Sequence, residues 1–293
     1  MATQQSLVGM GGEEPQLYDF GSSATFTANN NNKHGPSGVS LSEARSGLSG
    51  GNSGTWKQDT NYFNTSGGFQ LWTVPQTGDY KIETNGVRGG SQFSTYQGGY
   101  GVKMEGTFNL TGGTIIKMLV GQTGGSSYGG GGGMTAVALQ SGNTPLIVSG
   151  SGNCHSSWNS TSRNATTSQT SVASSAGYTA SNGDGGYCNA GVWGGAGFYG
   201  NPTNQPSCNY TRPNSFTNGG QGGQTCNGYG GFGGGSATDG CCYGASGAGA
   251  GYSGGGGTSG SSQYGGAGGS YNNGSNQNNG GQTTYGRVII TKL

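Results

Sequence analysis

The stretch Gly68-Phe-Gln-Leu-Trp-Thr-Val-Pro75, followed by Gln76-Thr-Gly-Asp79 and Tyr80-Lys-Ile-Glu-Thr84, decides the fold class. The first run is aromatic and β-branched and stops at a proline, which cannot donate to a strand ladder. In the last run Tyr80, Ile82 and Thr84 alternate with Lys81 and Glu83, the period of a half-buried strand. The four residues between them carry turn chemistry and predict a hairpin. Working outward, Leu17-Tyr-Asp-Phe20 and Ala24-Thr-Phe-Thr27 are short β-prone runs, and Lys33 to Gly38 is a turn punctuated by Gly and Pro. Ser40 with Glu43 three residues later carries the signature of a capped helical turn.

Downstream, Val102 to Leu110 reads as a strand with Gly106 as a bulge or close-approach point. Thr114-Ile-Ile-Lys-Met-Leu-Val-Gly121 is the most apolar run and predicts a central strand. Met134 to Leu139, Pro145 to Ser149 and the C-terminal Arg287-Val-Ile-Ile-Thr-Lys-Leu293 complete the set. Short strands with turn signals between them predict an all-β sandwich whose strands before 150 and after 285 share one sheet system. The organisation that follows is a leader at 1–16, a sandwich at 17–149 plus 285–293, and an insertion at 150–284.

The insertion is mostly Gly, Ser, Asn and Thr with spaced aromatics, as in Trp193-Gly-Gly-Ala-Gly-Phe-Tyr-Gly200 and Gly247-Ala-Gly-Ala-Gly-Tyr-Ser-Gly254. Glycine supplies 70 of 293 residues, against an ordinary share of about 7%. A collagen helix is excluded because glycine does not recur at every third place. A flexible linker leaves the aromatics and cysteines without a purpose. The expected arrangement is a bundle of polyproline-II-type helices made of glycine (polyglycine II). Such helices make no internal hydrogen bonds, so neighbours must satisfy one another, and they approach closely only where no Cβ intervenes.

Charged residues are 7% of the chain and the net charge is +1, which gives no electrostatic reason for a nucleic-acid or anionic-membrane partner. No apolar run is long enough for a transmembrane helix, so membrane insertion is not expected. The first residues carry no basic n-region and so do not read as a secretory signal. Cys154, Cys188, Cys208, Cys226, Cys241 and Cys242 cluster in the insertion and are disulfide candidates, with the pairing left open. N-x-S/T sequons occur at Asn64, Asn109, Asn159, Asn164, Asn209 and Asn273.

Catalytic sets are not apparent. His34 lies in a Gly-Pro turn, and His155 follows Cys154 directly, where adjacent side chains rarely meet in hydrogen-bonding geometry. Glu13 and Glu14 fall in the leader, and no zincin, nucleophile-elbow or P-loop lysine motif occurs. Asp184 and Asp239 offer carboxylates for calcium, but no EF-hand or nonapeptide repeat accompanies them. Neither a cofactor, a metal nor an enzymatic activity is therefore expected. The binding candidates are Tyr187, Trp193, Phe198, Tyr199, Tyr229, Tyr243, Tyr252 and Tyr264, rings flanked by glycine in an uncharged region and able to stack on a sugar or protein face.

A family resemblance accompanies this reading. Gln70-Leu-Trp-Thr-Val-Pro-Gln-Thr-Gly-Asp-Tyr-Lys-Ile-Glu-Thr-Asn-Gly-Val-Arg-Gly-Gly90, Leu119-Val-Gly-Gln-Thr-Gly124, Gly230-Gly-Phe-Gly-Gly-Gly235, Gly251-Tyr-Ser-Gly-Gly255 and Gly286-Arg-Val-Ile-Ile290 resemble, in order and spacing, the glycine-rich extracellular region of anaplastic lymphoma kinase and leukocyte tyrosine kinase. The resemblance implies a jelly-roll sandwich similar to tumour necrosis factor with an inserted bundle of polyglycine helices. It carries over architecture, because function does not follow from fold. The bundle is also similar in composition to the tips of some phage tail-fibre adhesins. The expected function is a virion surface or tail-fibre adhesin, exposed at the virion surface or outside the cell. Its leader, with Met1, Leu7, Val8 and Met10 as attachment candidates, would bind a virion carrier protein, and its head a host-surface receptor, glycan or protein. Fibres are commonly homotrimers, although the sequence carries no trimer seam of its own. A structural virion or matrix component, such as a capsid decoration or filament subunit, and a secreted cytokine-binding module are the alternatives.

Overall fold

A computed structural model describes residues 16–20, 25–50, 54–91, 97–125, 129–154, 162–188, 191–203, 210–238, 245–258 and 263–293. In chain order the elements are β1 (Thr25–Asn29), α1 (Leu41–Gly47), β2 (Ser49–Gly50), β3 (Phe63–Ser66), β4 (Phe69–Thr73), β5 (Gly78–Asn85), β6 (Gly101–Leu110), β7 (Ile115–Leu119), β8 (Thr135–Leu139), β9 (Thr144–Ser149), β10 (Tyr271–Asn272), β11 (Gln282–Thr283) and β12 (Arg287–Lys292). They form two antiparallel six-stranded sheets, one in the order β11-β6-β5-β12-β1-β2 and the other β10-β9-β8-β7-β4-β3. The all-β sandwich is therefore present, and the C-terminal β12 lies inside the first sheet between β5 and β1.

Between the sheets lies a core dominated by rings. Trp72 and Tyr80, from facing sheets, meet edge to face at 5.8 Å, and Phe26 packs on Trp72 at 5.2 Å. Ile82, Met104, Ile116, Val137, Ile147, Val288 and Ile290 fill the space between them. Buried polar contacts also bridge the sheets: the Thr84 and Ser149 hydroxyls share a hydrogen bond of 2.7 Å, and the Gln70 amide donates to the Asn29 carbonyl at 3.0 Å.

Local expectations are met at α1, where Ser40 accepts from the Glu43 amide while the Glu43 carboxylate accepts from the Ser40 amide. That doubly bonded carboxylate is held at a pKa of about 2, chiefly by the Ser40 backbone bond and then by Lys33. Thr114 to Gly121 contributes β7, central as expected between β8 and β4. The Gln76–Asp79 turn, however, is not a hairpin. β4 and β5 belong to different sheets, and the chain crosses from one to the other at Pro75, where the ladder loses its donor. Trp72 and Tyr80 face each other across the core for that reason. The true two-residue hairpin is Gly67-Gly68 between β3 and β4, with φ of +58 and +87 at its two positions, a conformation that suits glycine. Leu17 to Phe20 adopts no strand. Gly106 is a close-approach point and not a bulge: a Cβ there would lie 2.6 Å from the Asn272 side chain, within an unbroken β5–β6 ladder.

Most of 150–284 carries no regular helix or strand among the described residues, and its main chain is nonetheless bonded segment to segment. Gly186 donates to Gly195, Gly195 to Gly255, Gly255 to Gly249, Gly249 to Gly266 and Gly266 to Gly256, at 2.8–3.0 Å. The Gly129–Gly133 tract joins the same network through Gly131 to Ser236 and Gly231 to Gly131. Near its end the stretch adds β10 to one sheet and β11 to the other, so both sheets draw an edge strand from within 150–284.

This region covers the outer face of the second sheet. Phe69, Leu119, Met134, Ala136, Ala138 and Val148 of the sheet are buried with Phe198, Phe216, Phe232, Ala250 and Tyr252 of the cover. Small alanines on β8 let the glycine main chain come close. A Cβ at Gly131 would stand 1.8 Å from the Ala248 carbonyl oxygen, whereas at Gly78 the nearest atom, a Lys292 side-chain carbon, is 3.8 Å away. Gly131→Ala is therefore expected to lower the free energy of unfolding by about 2 kcal/mol or more, and Gly78→Ala to change it by less than about 0.5 kcal/mol. Denaturant midpoints of the two variants check this, and equal effects would contradict the packing.

Candidate functional site

On the outer face of the second sheet Phe69, Leu119 and Val148 are buried with the glycine-rich cover, whereas Leu71 and Lys117 are half-buried and Ile115 is exposed, and a line of ring contacts joins the two areas. Tyr271 of β10 stacks on Tyr252 at 4.7 Å with 22° between planes. Tyr252 meets Tyr199 edge on at 6.2 Å, and Phe198 lies 6.4 Å from Tyr252. Phe198 stacks on Phe216 at 4.4 Å, and Phe216 meets Phe69 of β4 at 5.0 Å. The Lys117 ammonium of β7 closes the line, 4.0 Å from the Phe69 ring centre and 4.8 Å from that of Phe216.

Tyr199 is 46% exposed and forms the open part of this seam, whereas Phe198 and Tyr252 lie beneath it at 0% and 8%. The hydroxyls of Tyr199, Tyr252 and Tyr271 donate to no protein acceptor among the described residues. Burial raises the Tyr199 and Tyr252 pKa values, so both hydroxyls stay protonated donors. Polar groups flank the rings. The Thr217 hydroxyl donates to the Tyr199 carbonyl at 3.0 Å, and the Asn218 amide donates to Asn201 and to Ser215 at 3.2 and 2.8 Å. Thr217 also lines an open cavity of about 280 Å³ with Ser66, Phe69, Leu71, Lys117 and Gln140.

The other aromatic candidates fall elsewhere. Trp193 is buried at 8%, with its indole N–H on the Tyr210 carbonyl, so it is a structural ring and not an exposed platform. Phe198 and Tyr252 are likewise packing residues, because the sheet's outer face needs apolar cover. Tyr264 is engaged by Arg163, whose guanidinium lies 4.6 Å over its ring and donates to its hydroxyl. Tyr229 is half-buried against the backbones of Gly35 and Gly125. Tyr187 is 39% exposed but pairs with Tyr178 and, among the described residues, with no ring of the seam. Tyr243 lies outside the described residues, as do the attachment candidates Met1, Leu7, Val8 and Met10. The sequence reading missed Tyr271, Phe69, Phe216 and Lys117. A lysine within the apolar run Ile115-Ile-Lys-Met-Leu119 was the available signal, since a charge on a central strand needs an opening.

Among the described residues no three His, Cys, Asp or Glu side chains gather as a metal site, and no helix is long and apolar enough to cross a membrane. No protein-family model matches the chain, and no curated protein matches it in sequence.

The disulfide expectation needs correction at two positions. Cys226 is disulfide-bonded, but Cys154 and Cys188 are buried thiols, and Cys208, Cys241 and Cys242 lie outside the described residues. Both thiols are walled in by glycine main chain: a Cβ at Gly129 would touch the Cys154 sulfur at 2.9 Å, and one at Gly257 the Cys188 Cβ at 3.0 Å. The Thr238 hydroxyl donates to the Cys154 sulfur at 3.0 Å, and Cys188 donates weakly to the Thr258 carbonyl. Burial pushes the Cys154 pKa up to about 12 and that of Cys188 up to about 11. Both thiols are therefore expected to resist iodoacetamide in the folded protein and to react on unfolding, as mass spectrometry would show. Raised values in the folded state favour the neutral thiols, so the stability they contribute is complete below pH 9.0 and lost as pH rises towards 11–12.

Proposed function

We propose that the chain is a non-enzymatic binding protein, the receptor-binding head of a virion surface or tail-fibre protein, and that Tyr199 and Tyr271, with the buried Tyr252 packed between them, contact a glycan on the host surface. The observation that carries this reading is the open Tyr199 ring, with tyrosine hydroxyls beside it that donate to no acceptor among the described residues, on a charge-poor protein. A ring presents a face to sugar C–H groups while its hydroxyl bonds a sugar oxygen. Thr217, Asn201 and Asn218 add the directional groups that such recognition uses. The described residues of the seam offer rings, hydroxyls and amides in place of a nucleophile with its base.

The finer architecture belongs to the same proposal. The sandwich is read as a jelly-roll of the tumour-necrosis-factor type and the cover as a polyglycine II bundle, in keeping with the resemblance to the kinase ectodomains. Support comes from the segment-to-segment bonds among Gly186, Gly195, Gly255, Gly249 and Gly266. An interlocked main chain of this kind supplies a rigid base for the rings, which lowers the ordering cost of binding. Residues 1–16 are assigned to attachment to a carrier protein on the virion.

Each exposed ring is worth about 1 kcal/mol in such contacts, so Tyr199→Ala with Tyr271→Ala is expected to weaken glycan binding at least about tenfold. Tyr187→Ala, outside the ring contacts of the seam, leaves it unchanged. Binding to immobilised glycans measures both, and a double variant that binds like the parent refutes the seam assignment. Removal of residues 1–16 is expected to abolish incorporation into virions while leaving glycan affinity intact; incorporation of the truncated chain would remove the attachment claim.

A further inference from the structure

The far end of the seam is organised around one charge. Lys117 stands on the outer face of β7, opposite the half-buried Leu71 of β4 on one side and the buried Ala138 of β8 on the other, and is itself half-buried. Of the three protons on its ammonium, one goes to Asn143 at 3.0 Å. The Phe69 and Phe216 rings lie beside it, and the open cavity with Ser66, Gln140 and Thr217 lies in front. Lys117 is the one charged side chain among the described residues lining that cavity, and it forms no ion pair among them. Partial burial lowers its pKa, which marks a cation that has lost water without gaining a counter-charge.

We propose that this cavity receives the carboxylate of an acidic sugar, a sialic or uronic acid, with Lys117 as the counter-ion; the inference rests on the reading of the seam as a glycan site. An ammonium–carboxylate hydrogen bond is charge-assisted and strengthened by the apolar walls that Phe69 and Leu71 supply. Ser66, Thr217 and Gln140 line the same cavity and supply polar groups for ring hydroxyls, Thr217 as an acceptor because its own proton goes to the Tyr199 carbonyl. The cavity's 280 Å³ is at the small end for ligand sites and suits a terminal unit more than a whole chain. Tyr271 on β10 aligns with Leu119, three strand spacings across the sheet and two residues along β7 from Lys117, about 16 Å in all, so one oligosaccharide can engage the rings and the ammonium together.

The test is a titration of the full chain with N-acetylneuraminic acid and with its neutral methyl ester, followed by calorimetry or amide chemical shifts. The acid is expected to bind at least about tenfold more tightly than the ester, the preference shrinking as salt is added. Lys117→Gln removes that preference and Lys117→Arg, which keeps the charge, retains it. Equal affinity for acid and ester, or a preference that survives Lys117→Gln, overturns the proposal. Tighter binding of a sulfated N-acetylglucosamine than of both sialic and glucuronic acids overturns the carboxylate assignment. Neutral N-acetylglucosamine oligomers separate this inference from the one beneath it. If they bind and lose affinity on Tyr199→Ala while the acid gains nothing over the ester, the seam stands and the Lys117 subsite falls. If no sugar binds, both fall.

Discussion

A buried peptide group must find a hydrogen-bond partner, and in this protein long stretches must do so without a helix or a strand to supply it. The solution is lateral bonding between glycine segments, as in the relay from Gly186 through Gly195, Gly255 and Gly249 to Gly266. Such bonding demands that main chains touch. A Cβ at Gly231 would stand 1.7 Å from the Gln122 carbonyl oxygen and one at Gly133 1.8 Å from that of Phe232. The glycine content is thus a packing requirement at these positions. It also explains why so few charges are present: a cover built from main-chain contacts has little interior that tolerates an ion.

The cover depends on the sandwich as much as the reverse. A lone glycine network buries almost no apolar side-chain area, so Phe198, Phe216, Phe232 and Tyr252 provide the anchor by reaching down to Phe69, Leu119 and the β8 alanines. β8 and β9 of the second sheet are consequently buried on both faces, and they read as continuous apolar or small residues with little alternation. Among the described residues of its outer face, Leu71 and Lys117 are half-buried and Ile115 is exposed, and the ring contacts reach Lys117 there. Rings that anchor the cover and rings that face solvent are neighbours in one ladder, which gives the exposed Tyr199 a fixed base.

Much of this was legible in the sequence. Alternation at Tyr80 to Thr84, the Ser40–Glu43 cap, the apolar run of β7 and the C-terminal strand all follow from local periodicity and hydrogen-bonding capacity. The hairpin expected at Gln76–Asp79 failed because turn chemistry is local, whereas the choice between pairing with the previous strand and crossing to the other sheet is made by the core. The roles of the glycine-flanked rings were not separable in advance. Phe198 and Tyr199 are adjacent in sequence, yet one is wholly buried and the other 46% exposed. Two cysteines were misjudged for a related reason: spacing reveals a cluster but not the glycine main chain that packs against the buried Cys154 and Cys188 thiols.

Lys117 shows how the same physics selects a site. A lysine on a central strand whose outer face is covered would be strongly penalised, so the cover must end before it or leave it a route to water. Lys117 is half-buried beside an open cavity, and Phe69 and Phe216 turn their faces to its ammonium. Two rings and one amide oxygen offset part of the lost hydration, but they supply no net negative charge. Lys117, which forms no ion pair among the described residues, therefore stands where the packing of main chain and rings leaves a charge a route to water, and a ligand that spans rings and ammonium would meet both at once.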